Sequence, residues 1–205
     1  MKMEMEKRTV NLDLTKTDIE NRKIVGYAAV FEETYTQMYD AYGDVFYERV
    51  RPGAFKESLE KANVCMLVNH DWSRIVGRMG SNLKLEEDEA GLRFELDVPN
   101  TTEGNDLLEN VRLGIIQGCS FGFYIERKTT RWNDDWEYFQ DLDKVELLEI
   151  TATPIPAYES TSISARSKLN IAEMRDNERK SHEQKPDFKE RSMKMLGSFF
   201  DEFLK

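Results

Sequence analysis

Residues Leu92-Arg93-Phe94-Glu95-Leu96-Asp97-Val98 alternate apolar and charged side chains without a break. A period of two places one face of a strand in a core and the other in water, so the chain has to pair this strand and cover its apolar face with a second layer. Several neighbouring segments have the same character. Residues 23–31 read as a strand after the turn Asn21-Arg22, and residues 9–14 alternate weakly before it, which predicts an antiparallel opening pair. Residues 45–50 form a short strand stopped by Arg51-Pro52-Gly53, and 64–68 a buried one. Strands are also expected over 75–79, 83–86, 121–129, 136–139 and 144–151, with a hairpin tip at 131–136.

Helical spacing is confined to a few places. Phe55 and Leu59 share a face within 54–62, and Leu107, Leu108, Val111 and Ile115 share one within 105–116. Thr101 or Thr102 is placed to cap the second helix, and Gly118 to stop it. Residues 35–44 have no clear period and read as a long loop. From about residue 166 the composition turns to mixed charge, with Pro186 breaking a flexible linker ahead of a short amphipathic helix over 193–204. The division expected is therefore a strand-rich α+β domain at 1–165 and a charged, partly helical or flexible tail at 166–205.

A formal charge of -10 leaves no basic excess to displace counterions from a phosphate backbone, so nucleic acid is not an expected partner. No apolar run is long enough to cross a bilayer, and the first residues lack a signal peptide's apolar core, which places the protein in a cytoplasm. Cys65 and Cys119 lie in apolar segments and read as free thiols, and two cysteines plus two histidines without paired spacing give no zinc site. No cofactor is expected.

The chemistry concentrates at Gly118-Cys119-Ser120-Phe121-Gly122-Phe123. Its letters fit G-x-S-x-G, but the nucleophile elbow of α/β-hydrolases needs a strand before the serine and a helix after it, and here the order is reversed. That excludes the hydrolase fold and leaves two readings of Ser120: a nucleophile flanked by glycines that admit a bound group, or a serine that fits a crowded place. His70 stands at the end of the strand 64–68, where an imidazole reaches a cleft; the other histidine, His182, lies in the tail. Asp71 beside it reads as a turn residue. Glu149 alternates onto the face of Val145, Leu147 and Thr151, a carboxylate withdrawn from water that needs a partner.

Five segments, Gly26-Tyr27-Ala28-Ala29-Val30-Phe31, Arg51-Pro52-Gly53-Ala54-Phe55, Leu67-Val68-Asn69-His70-Asp71, Gly118-Cys119-Ser120-Phe121-Gly122-Phe123 and Leu147-Leu148-Glu149-Ile150-Thr151-Ala152-Thr153-Pro154-Ile155-Pro156-Ala157, together resemble the prohead serine proteases of tailed bacteriophages. The resemblance implies a fold similar to the herpesvirus assembly protease, a mainly antiparallel β-barrel surrounded by a few helices. It implies a maturation endopeptidase that cuts scaffold and major capsid protein, and itself, inside the procapsid in the host cytoplasm. His70 and Ser120 fall on the family's catalytic pair. The herpesvirus enzymes use a second histidine as third member; here Glu149 is the candidate, with Asp143 behind it. Backbone N–H groups near Ser120, assisted by Arg74, Arg78 or Arg112, are candidates for holding the oxyanion. Self-association is allowed by the resemblance, although no segment marks a dimer surface. Two rivals stay open: Cys119 as nucleophile in place of Ser120, and an inactive capsid-assembly or scaffold module of the same shape.

Overall fold

A long antiparallel hairpin, β9 (Gly118–Trp132) with β10 (Tyr138–Thr153), organises the computed structural model, which describes residues 5–11, 17–61, 63–154 and 169–183. Its turn is set by Asn133, whose Oδ1 accepts from the N–H groups of Asp135 and Glu137. Where two separate strands are expected at 136–139 and 144–151, β10 runs through both. Irregularities at Leu142/Lys144, Lys144/Val145 and Leu147/Glu149 let one continuous strand bend instead of breaking.

Other strands dress this hairpin. β1 (Glu6–Asn11) pairs antiparallel with β9, while β4 (Val45–Val50) and β5 (Cys65–Val68) pair parallel with successive parts of β10. β3 (Thr36–Tyr39) lies outside β4, and β6 (Asp71–Arg78) outside β5, giving seven strands. A second sheet has the order β2 (Lys23–Val30), β8 (Gly91–Asp97), β7 (Leu83–Glu87). The expected opening pair is thus absent among the described residues. β1 and β2 belong to different sheets, because β8 offers β2 a partner whose alternation matches its own. The loop expected at 35–44 contains β3, which pairs with β4 and buries Met38.

The apolar faces of the two sheets meet in one core. Ile24, Ala28, Leu92, Phe94 and Leu96 of the small sheet share it with Met66, Val68, Phe121, Phe123, Ile150 and Ala152 of the large one. Phe55, just before α1 (Lys56–Glu60), meets Phe121 edge-on at 5.5 Å between ring centroids. The antiparallel barrel is corrected to two sheets with two parallel pairings and no closed ring of strands among the described residues. The large sheet is nevertheless strongly bent. Arg8 aligns with Phe121, whereas Glu48 aligns through Gln140 with Thr130, about 30 Å further along a flat β9 at a strand's usual rise. Yet Arg8 and Glu48 form a buried bidentate ion pair, with Arg8 Nη2 2.8 Å from Glu48 Oε2, so the hairpin has to fold over between these levels. That ion pair ties the N-terminal strand β1 in place beside β9.

α2 (Thr102–Arg112) begins at Thr101, whose side chain accepts from the Gly104 N–H at 3.2 Å. It ends earlier than its periodicity predicts. Gly114 takes φ +67 and breaks the helix, Ile115 is left exposed, and Gly118 is the first residue of a strand instead of the helix stop.

The second unit, Asn170–Lys205, contains α3 (Ile171–Glu183) where a linker is expected. Asn170 explains it: its Oδ1 accepts from the Glu173 N–H at 3.0 Å and its amide donates to the Glu173 carboxylate, closing the first turn. His182 lies one turn from Glu178 in this helix. Pro186 and the amphipathic segment 193–204 lie outside the described residues.

Candidate active site

β5 ends at Val68 and the chain turns through Asn69 and His70, both left-handed at φ +55 and +58. Asparagine and histidine tolerate this region better than most residues, but each such position still costs roughly 1–3 kcal/mol. Two hydrogen bonds to β10 offset that cost. The Asn69 N–H donates to the Ala152 carbonyl at 3.0 Å, and the His70 N–H to Thr151 Oγ1 at 2.9 Å. The turn throws the imidazole back over the sheet, where Nδ1 lies 2.7 Å from Glu149 Oε1.

The register of the hairpin puts the serine on the same face. Ser120 stands opposite Thr151 on β10 and Thr9 on β1, and Gly122 stands opposite Glu149. Directly opposed residues share a face, so Ser120, Glu149, Thr151 and the histidine turn are gathered on one side of the sheet. Cys119, Phe121, Ile150 and Ala152 go to the other side, into the core. Here the alternation expected along β10 fails. Val145 and Leu147 enter the core with Ile150, and the irregularity between Leu147 and Glu149 switches the parity, turning Glu149 out of the core and toward His70. Both Ser120 and Glu149 are fully buried, and Ser120 Oγ and Glu149 Oε2 have no hydrogen-bond partner among the described residues. A buried polar atom without a partner is destabilising, and such strain concentrates where chemistry needs it.

Gly122 has a role other than admitting a bound group. A Cβ at this position would overlap Glu149 Oε1 and lie 3.1 Å from its Cδ and 3.2 Å from Met5 Sδ. The glycine is the space into which the carboxylate fits. Gly122→Ala is expected to displace Glu149 and lower kcat by roughly 100-fold, the scale of a 1 Å misplacement, and steady-state kinetics on a peptide substrate checks it.

Cys119 is buried in the core, and burial, followed by the charge of Glu149, pushes its thiol far above the ordinary range. It lies on the core face of the sheet, opposite to the face that carries Ser120 and Glu149, and has no thiolate at neutral pH. Cys119→Ser is expected to keep full turnover while lowering the thermal midpoint, because a hydroxyl costs more to bury in the core than a thiol whose Sγ lies 3.8 Å from the Ser120 carbonyl; paired activity and melting measurements test both.

The remaining sequence candidates lie elsewhere. Asp143 accepts a hydrogen bond from Thr129 at 2.7 Å, on the exposed part of the hairpin. Arg74 pairs with Glu103, Arg78 with Asn63 and Arg112 with Glu109, so each guanidinium already has a partner. Asp71 accepts from the N–H and hydroxyl of Ser73, as a turn residue does. Among the described residues no cluster of three or more metal-ligating side chains occurs, and no helix is long and apolar enough to cross a membrane. Thr151 and Thr9 escape a reading of the sequence as site residues; only the strand register brings them beside Ser120.

The family model of the caudovirus prohead serine proteases matches residues 10–177, most of the chain. The chain belongs to that family. This prohead protease is a serine peptidase of phage capsid maturation. Among solved structures it is similar to the bacteriophage T4 capsid assembly protease gp21, at 10% identity and a TM-score of 0.41, with 73% of this chain and 98% of that one covered. No curated protein matches the chain significantly.

Proposed function

We propose that Ser120, His70 and Glu149 form the catalytic triad of this prohead protease. Ser120 Oγ attacks the scissile carbonyl, the imidazole accepts its proton, and the same nitrogen returns the proton to the departing amine. The observation that carries this reading is the 2.7 Å contact between His70 Nδ1 and the buried Glu149 carboxylate. A carboxylate only accepts, so Nδ1 carries the hydrogen and Nε2 is reserved for exchange with the serine. Glu149 also steadies the imidazolium that forms. Ser120 Oγ makes no hydrogen bond among the described residues, so the serine–histidine bond is made when substrate enters, as catalytic hydrogen bonds often tighten only in the complex.

The substrates we assign are the major capsid protein, its scaffold segment and this chain's own tail from about residue 166, cut inside the assembling procapsid in the host cytoplasm. The family's description as prohead enzymes supports this, and the net charge of -10 fits protein rather than nucleic acid as partner. Incubating the purified protein with the capsid precursor tests it: time-dependent shortening of precursor and tail by wild type, absent in Ser120→Ala, is the expected result. Neither chain being shortened would favour a non-catalytic assembly module.

A further inference from the structure

Thr151 makes a contact that the triad chemistry does not use. It is fully buried, stands directly opposite Ser120, lies two residues from Glu149 on β10, and accepts the His70 N–H at 2.9 Å. The residue it holds is left-handed, as is the one before it. The other backbone hydrogen bond of that turn to β10 runs from Asn69 to the Ala152 carbonyl, which fixes the chain one residue too early to set the orientation of the His70 backbone itself.

We propose that Thr151 is a positioning residue: its hydroxyl locks the left-handed His70 onto β10, so that one strand aims the imidazole at Glu149 while holding the register with Ser120. The inference rests on the triad reading above. It follows from what each end of the His70 residue does. Rotation about φ and ψ in an unpinned turn swings the ring, and a backbone hydrogen bond at the same residue removes that freedom. β10 contributes both contacts, from residues 149 and 151, so the backbone of the histidine and its Nδ1 are referred to one rigid element. Thr151 touches neither nitrogen of the ring.

The test compares Thr151→Val, which removes the hydroxyl at constant shape, with Thr151→Ser, which keeps it. Thr151→Val is expected to lower kcat roughly 100-fold with KM unchanged, the scale of a slightly misplaced catalytic group. Thr151→Ser should restore turnover. Hydrogen exchange at the His70 amide should accelerate in Thr151→Val and not in Thr151→Ser. Measured in a Ser120→Ala background, that exchange reports on Thr151 even if Ser120→Ala itself still cleaves, an outcome that would overturn the triad and not the contact. Wild-type turnover and exchange in Thr151→Val, or Thr151→Ser as slow as Thr151→Val, would overturn the proposal. If the valine variant does not fold, Thr151→Ala against Thr151→Ser gives the same comparison.

Discussion

Ser120→Ala should leave the capsid precursor and the enzyme's own tail uncut, with turnover down by roughly a million-fold, the loss seen when a serine nucleophile is removed. Without Oγ no acyl-enzyme forms, and what remains is the weak effect of binding alone. His70→Ala should cost as much, and the double variant no more than either, because nucleophile and base act as a unit. Ser120 Oγ is buried without a partner among the described residues, so alanine should also raise the thermal midpoint while abolishing activity. A gel time course with the precursor, labelling by a serine-directed phosphonate and a melting curve give three readouts. Normal processing by Ser120→Ala would remove the nucleophile from the scheme, and a lowered midpoint would show that the hydroxyl has a structural partner.

Glu149→Gln is expected to reduce turnover by about ten-thousand-fold, as when the carboxylate of a serine protease triad becomes an amide. The change is isosteric, so the side chain still fits the space left by Gly122, and binding of substrate should persist. The difference is electrical and directional. An amide can present its NH2 group to Nδ1, which selects the tautomer whose Nε2 carries the hydrogen and cannot accept the serine's proton. It also carries no charge to balance the imidazolium. Full kinetics at several pH values, with KM near wild type and kcat collapsed, is the expected pattern. A Glu149→Gln enzyme that works at wild-type rate would pass the third role to another group, even with the 2.7 Å contact to His70 in place.

Much of this site is local, and local features are legible. His70 ends a buried strand because Asn69-His70-Asp71 breaks the apolar run, and Gly118-Cys119-Ser120-Phe121-Gly122 stands out through its glycines. The reason for the second glycine was not legible. It is dictated by Glu149, distant in sequence, and no local pattern reveals a contact across a strand pair. Glu149 shows the same limit from the other side. Strict alternation puts it with Val145 and Leu147, and one irregularity in pairing reverses that, since a single extra residue exchanges the faces of everything beyond it.

The fold divides in the same way. That β8 has one apolar face, that helices occupy 102–112 and the region after Phe55, and that the body is strand-rich all follow from periodicity and turn residues, because these act over a few neighbours. Which strands pair does not. β1 joins β9 rather than β2, and the large sheet bends until Arg8 meets Glu48, through contacts between residues far apart along the chain. The amino-acid sequence alone thus determined that a serine, a histidine and a buried carboxylate were available on strand-bounded segments. Tertiary structure decided that Glu149 faces His70, that Gly122 makes room for it and that Thr151 holds the turn, because register and curvature are properties of the whole sheet.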